Sequence, residues 1–230
     1  MNHHDLNRTY ISNILKHVDH TLLGVTATQA DFAVLCDEGV EYGVATVCVP
    51  PSRVEFCAAR LAGRLAVCTV CGFPGGYHAS GAKAREAELA IRSGAAEIDM
   101  VIDIGKAKDG DYAAVLADIR QVRSAAAGAV LKVIIETALL TRDEKIALCH
   151  VVSESGADYI KTSTGFAGGG ATFDDVALLR QHSSPALKVK AAGGIATLED
   201  AQRFIQLGAD RLGTSRIVKL AQGMAKTDGY

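Results

Sequence analysis

The sequence predicts a (β/α)8 TIM barrel with an extra N-terminal helix, and three observations lead there. Eight short apolar runs alternate strictly with eight helical patterns. The runs are rich in branched side chains, as in Leu131-Lys132-Val133-Ile134-Ile135, which suits parallel strands covered on both faces. Four similar stretches, around Gly39, Gly94, Gly156 and Gly208, each close a helical pattern and lead into an apolar run, at spacings of 52 to 62 residues. That is twice the length of one strand-helix unit, so they mark every second unit. Each glycine is expected to end its helix in the left-handed conformation. A chain of 230 residues suits a closed eight-unit barrel better than an open doubly wound sheet.

Taken in order, a helix over about 7–16 precedes the first strand and is expected to cover an end of the barrel. Strands follow near 17–22, 44–49, 65–71, 97–103, 130–136, 158–163, 186–191 and 210–214. Helices alternate with them at 28–42, 51–61, 80–93, 110–127, 141–155, 172–182, 197–207 and 215–225, several opened by Thr, Ser, Asp or Pro. No linker rich in Pro, Ser or charge divides the chain, so residues 1–230 are expected to form one domain.

Composition narrows the function classes. A formal net charge of −2 leaves no electrostatic footprint for nucleic acid or an acidic membrane, although a local basic pocket could hold a small anion. The longest apolar runs have the length of strands, and the start lacks an apolar signal segment, so the expected location is cytoplasmic, with no membrane partner. In that setting the six cysteines read as thiols rather than as a disulfide framework. Cys68 and Cys71 form a C-x-x-C, but in a strand a separation of three turns them to opposite faces, so they read as small buried hydrophobes. The seven histidines show no ligand spacing, and neither a metal nor a cofactor is expected.

In a barrel of this kind chemistry sits at the carboxyl ends of the strands. The polar residues there are Asp19 and Thr21 on strand one, Cys48 on two, Asp99 on four, Lys132 and Glu136 on five, Lys161 on six and Lys190 on seven. For any one of them, an ion pair that fixes the barrel layers is an equally good reading. The lysines change the balance, because adjacent strands place Lys161 and Lys190 at similar heights. Like charges about 4 Å apart at an effective dielectric near 20 cost about 4 kcal/mol, which would carry a lysine from about 10.4 toward 7 and free an amine to attack a carbonyl. Asp99, on the inward face of its strand, could move the protons directly or through a water. Strand parity raises one difficulty: if Lys190 points inward, Lys188 should as well.

Glycines follow the same strands. Gly165 and Gly168-Gly169-Gly170 come after strand six, Gly193-Gly194 after strand seven, and Thr214-Ser215-Arg216 after strand eight. Exposed N–H groups at such turns and at a helix start suit a phosphate dianion, and strands seven and eight are a common place for it in barrels.

These residues resemble the deoxyribose-phosphate aldolases, a family of class I aldolases. The matching stretches span most of the chain: Val18 to Leu23 (VDHTLL), Val47 to Pro50 (VCVP), Gly72 to Gly76 (GFPGG), Glu97 to Val101 (EIDMV), Leu131 to Thr137 (LKVIIET), Tyr159 to Phe166 (YIKTSTGF) and Val189 to Ile195 (VKAAGGI). The resemblance implies a (β/α)8 barrel that reversibly cleaves 2-deoxy-D-ribose 5-phosphate to acetaldehyde and D-glyceraldehyde 3-phosphate. It implies Lys161 as the Schiff-base lysine, Lys190 as its pKa-lowering and proton-transferring neighbour and Asp99 as the proton shuttle. Asp19, Thr21, Cys48 and Lys132 match other pocket positions, and Gly165, Phe166, Gly193, Gly194 and Ser215 match the phosphate site. Arg216 stands where a second serine is common, and either grips the phosphate or points away. Tyr230 matches, in type and terminal position, a tyrosine that can fold over the site in family members; a frayed end is the competing reading. Tyr77-His78-Ala79-Ser80 departs from the family pattern.

The implied partners are a phosphorylated sugar and aldehydes, with self-association as a homodimer or higher homo-oligomer left open. Two other readings compete. One is a Schiff-base aldolase or transaldolase for a different sugar phosphate. The other is a catalytically silent sugar-phosphate-binding barrel, which would keep the glycines but need not keep both lysines and Asp99.

Overall fold

The computed structural model describes residues 3–227. Its eight parallel strands close in sequence order: β1 (Val18–Thr21), β2 (Thr46–Val49), β3 (Ala66–Cys71), β4 (Glu97–Val101), β5 (Val130–Ile134), β6 (Tyr159–Lys161), β7 (Lys188–Ala192) and β8 (Arg211–Thr214), with β8 pairing back onto β1. Around them run α1 (His3–Leu15), α2 (Gln29–Tyr42), α3 (Val54–Leu61), α4 (Ser80–Arg92), α5 (Ile104–Lys108), α6 (Tyr112–Ala125), α7 (Arg142–Glu154), α8 (Phe173–His182), α9 (Leu198–Gln206) and α10 (Arg216–Thr227). Among the described residues no helix is long and apolar enough to cross a membrane.

Local chemistry explains the starts of the helices. Thr28, Thr141 and Thr197 each accept from the third helical N–H while Asp31, Glu144 and Asp200 return the bond to the cap N–H, opening α2, α7 and α9 with capping boxes. The two faces of the sheet carry different residues. Outward side chains such as Val47, Val67, Ile98, Leu131, Val133, Ile160 and Leu212 join the helices in one continuous core. The inward set is largely polar, with Cys48, Cys68 and Val70 as a small separate apolar cluster.

Several sequence expectations shift. The segment 51–61 is a 3-10 turn, Pro51–Arg53, followed by α3. An unanticipated α5 is opened by Asp103, whose side chain accepts from the Lys106 N–H. The N-terminal helix packs along the flank, against α9 and α10, instead of closing an end, and the hydroxyl of Tyr10 donates to the Leu198 carbonyl at 3.4 Å. Of the four marker glycines, Gly94, Gly156 and Gly208 have positive φ. Gly39 does not. It lies inside α2, where a Cβ would meet Leu65 and Val47 at 2.9 Å, and the left-handed cap is Gly43 at φ 61. As parity required, Cys68 faces into the barrel and bonds Asp99, whereas Cys71 faces out toward the Lys83 carbonyl.

Lys188 and Lys190 do share a face. Lys188 stands at the first residue of β7, exposed at the amino end of the barrel, with its ammonium 5.5 Å from the centre of the Tyr159 ring. Two residues on, Lys190 is fully buried. The shared parity is therefore accommodated by height: one lysine reaches solvent below the barrel and the other enters its interior.

Candidate active site

Strand register brings the charged residues together. Lys161 pairs with Lys190 across β6 and β7, and Asp99 with Lys132 across β4 and β5. The side chains of both pairs enter the barrel. Lys161 donates to Asp99 Oδ2 at 2.7 Å, and Lys190 donates to the same oxygen at 2.7 Å. Lys190 also donates to Asp19. Lys132 donates to Asp99 Oδ1 at 2.7 Å and pairs with Glu97 at 2.6 Å. Arg211 donates to Asp19 at 2.6 Å and Glu97 at 3.0 Å, and Thr46 donates its hydroxyl to Asp19 at 2.7 Å. Tyr159 lies beneath this group, its ring centre 6.0 Å from the Lys132 ammonium and 5.5 Å from the Arg211 guanidinium.

Burial and charge oppose one another here, and charge prevails. Burial would raise the Asp99 carboxyl, but Lys132, Lys161 and Lys190 hold it well below the usual carboxylate range. Asp19 is lowered in the same way, burial being outweighed by Lys190, Lys132 and Arg211. Burial would lower Lys190, yet Asp19 and Asp99 hold it above the usual lysine range. Lys132 is raised too, its desolvation overcome chiefly by Asp99. The cysteine pair is split: hydrogen bonding with Cys68 lowers the Cys48 thiol, while burial, then Cys48, pushes Cys68 up.

This geometry corrects the expectation that two unopposed lysines lower one another. Carboxylates stand between them, and Lys190, with two carboxylate partners, is the firmly charged member. What survives is a difference in number. Four cations, Lys132, Lys161, Lys190 and Arg211, face three carboxylates, Asp19, Glu97 and Asp99. Lys161 has a single carboxylate partner, on an oxygen it shares with Lys190. Loss of one proton brings the group to neutrality.

Above the cluster opens a cavity of about 510 Å³. Lys161 reaches it from below, and Thr21, Gly165, Phe166, Gly193, Gly194, Ser215 and Arg216 line it, as does Lys219. Asp19, Cys48, Asp99, Lys132 and Lys190 are buried and are not part of that lining. Within the cradle the Phe166 N–H donates to Thr164 Oγ1 at 3.0 Å and the Arg216 N–H to Thr214 Oγ1 at 3.0 Å, so these two amides are engaged locally. The Phe166 ring is half-exposed and meets Phe73 edge-on at 5.3 Å. Tyr230 lies outside the described residues, and the divergent Tyr77 stacks on His78 in an exposed position.

Sequence reasoning missed Lys219, Arg211 and Cys68. Helical spacing could have found the first, since it follows Arg216 by three residues and so shares its face of α10. Parity with Gly213 could have found Arg211 as an inward residue of β8. Two trios, Cys48/Cys68/Asp99 and Asp19/Cys68/Glu97, bring their ligand atoms within 4.8 Å of one another. Their carboxylates are already matched to ammonium and guanidinium groups, so a metal ion would compete with cations built into the fold.

The family described as DeoC/LacD family aldolase matches residues 13–225. A deoxyribose-phosphate aldolase of Streptococcus pyogenes serotype M4 (strain MGAS10750) is 51% identical over 221 residues, covering 96% of this chain and 99% of the relative. Among solved structures, one titled "QR15, an Aldolase" superposes with a TM-score of 0.89 at 35% identity, covering 94% of this chain and 97% of its own. The tetrameric deoxyribose phosphate aldolase from Aeropyrum pernix gives a TM-score of 0.84 at 28% identity, covering 99% of this chain and 100% of its own.

Proposed function

Because the chain belongs to the DeoC/LacD family of aldolases, we propose that it is a class I aldolase that reversibly cleaves 2-deoxy-D-ribose 5-phosphate to acetaldehyde and D-glyceraldehyde 3-phosphate. The observation that carries the residue assignment is Asp99 Oδ2, which accepts from Lys161 and Lys190 at once beneath a cavity that only the first of these lysines lines.

In this reading the unprotonated amine of Lys161 attacks C1 of the open-chain aldehyde, and loss of water gives an iminium. The iminium draws electrons from the C2–C3 bond once the C3 hydroxyl proton is removed. Glyceraldehyde 3-phosphate departs, the enamine is protonated at C2, and water releases acetaldehyde. Asp99 is placed to carry these protons, since it contacts the reacting nitrogen directly. Lys190 keeps a fixed positive charge beside that nitrogen, because Asp19 and Asp99 outweigh its burial. Asp19 and Lys132 hold Lys190 and Asp99 in place from below. The substrate phosphate lies at the other end of the cavity, between Gly165, Gly193-Gly194 and Ser215, with Arg216 and Lys219 supplying charge. Action in the cytoplasm, as one domain and as a homo-oligomer, belongs to the same proposal.

Borohydride reduction in the presence of acetaldehyde tests the mechanism. An ethyl adduct on Lys161, located by peptide mass, is expected; an adduct elsewhere, or none, overturns it. A transaldolase-type alternative predicts turnover of a different sugar phosphate in the same assay series.

A further inference from the structure

We propose that Glu136, together with Thr164, is a positioning residue that sets the height of the phosphate cradle. The inference rests on the proposed aldolase reading. Glu136 follows β5 and shares its parity with Lys132, yet it does not join the charged cluster. Its backbone lies in the left-handed region, at φ 57 and ψ 66, an uncommon conformation for a residue with a side chain. The turn makes an irregular step in the ladder. Ile135 N–H reaches the Lys161 carbonyl at 3.1 Å, and Thr137 N–H, two residues on, reaches the very next carbonyl, Thr162, at 2.8 Å. Glu136 is thus the extra residue of a bulge-like step, and bulges re-aim side chains.

The re-aimed carboxyl group is buried and points at the loop after β6. Its Oε2 accepts from both the Thr164 N–H, at 3.1 Å, and the Thr164 hydroxyl, while Thr164 Oγ1 in turn accepts from the Phe166 N–H. Lys161 lies three residues before Thr164 and Gly165 directly after it, so one carboxyl fixes the segment joining the reacting amine to the phosphate end.

Downstream the loop is clamped again. A Cβ on Gly169 would lie 2.4 Å from the Ala138 Cβ, in the turn that Glu136 opens, and one on Gly170 would lie 2.6 Å from the Gly193 carbonyl carbon. The Glu136 turn, the β6 loop and the Gly193-Gly194 turn are therefore stacked without spare space. A change at Glu136 propagates to the cradle through contacts that cannot compress.

Three variants test this: Glu136→Ala and Thr164→Val, which remove the link, and Glu136→Gln, whose amide oxygen still accepts from Thr164. For cleavage of 2-deoxyribose 5-phosphate, KM should rise about tenfold in the first two, as expected for losing hydrogen bonds that hold a binding loop. The glutamine variant should stay near wild type. Trapping of acetaldehyde on Lys161, which needs no phosphate, should stay within about twofold throughout. The rise in melting temperature given by inorganic phosphate should shrink in Glu136→Ala and Thr164→Val. A wild-type KM in Glu136→Ala overturns the inference, as does an equal loss of trapping and cleavage, which is the mark of a merely structural role. Absent or unchanged phosphate protection overturns it as well. If the wild type is not labelled on Lys161 but phosphate protection still depends on Glu136, the aldolase reading fails and the positioning role stands.

Discussion

Replacing Lys190 with Met removes a charge while keeping most of the side-chain volume, and it tests the proposed activation of Lys161. Both ammonium groups lie 2.7 Å from Asp99 Oδ2, so they are at most about 5.4 Å apart. At an effective dielectric near 20, two positive charges at that distance repel by about 3 kcal/mol, a factor of about 10² in rate or equilibrium. Lys190 remains charged through neutral pH, because attraction to Asp19 and Asp99 outweighs the effect of its burial. In K190M three cations face three carboxylates, and the excess positive charge is gone. The rate of imine trapping at pH 7 should fall about 100-fold. Asp19 keeps Arg211 and Asp99 keeps Lys132, so the fold should survive, which a melting curve checks. Wild-type trapping would refute the electrostatic argument and point to another source of activation.

Three further outcomes follow from particular contacts. Asp19 is held below its usual range because Lys190, Lys132 and Arg211 outweigh its burial, so its contribution to stability is fully present above the unfolded value near 3.9 and is lost progressively as pH falls from there through the lower folded value. D19N should therefore be less stable than wild type in urea at pH 7, with the gap narrowing below about pH 4; a gap constant down to pH 2 contradicts this. K83M strands Asp118, whose partner ammonium lies 2.8 Å away in a fully buried pair outside the cavity, and should cost about 3–5 kcal/mol in urea unfolding with turnover per folded molecule unchanged. G170A places a Cβ 2.6 Å from the Gly193 backbone and should destabilise by about 1–3 kcal/mol while raising KM for the phosphorylated substrate; unaltered kinetics would show that the two loops can part without consequence.

Much of this barrel was legible because its information is periodic. Alternation of strand and helix repeats eight times, with branched runs and, at several helices, capping residues to reinforce it, so an error in one unit leaves the others to fix the fold. The misreadings fall where a local signal had two meanings. Gly39 looks like a helix end in sequence, but its lack of a side chain serves close packing against Leu65 and Val47 inside α2. Glu136 continues the inward parity of β5 on paper, while its positive φ turns the carboxyl group onto Thr164. Strand six was expected to run to 163, yet β6 ends at Lys161, where the ladder passes into the bulge-like step and the loop.

The electrostatics of the site were the least legible part, for a physical reason. Sequence distance says nothing about which carboxylate falls between two lysines, and the sign of a shift depends on that placement. Lys161 and Lys190 alone predict mutual lowering; with Asp19 and Asp99 added, Lys190 is raised instead. The same carboxylates offset the large cost of burying three lysines beside a partly buried arginine, so they cannot be removed to make the amine more reactive. An excess of one positive charge reconciles the two demands. The layer beneath stays paired and rigid, and the ammonium that gains least from pairing is the one that meets the cavity. In the proposed mechanism, reactivity at Lys161 depends on a count over strands β1, β4, β5, β6, β7 and β8, which no single strand's sequence contains.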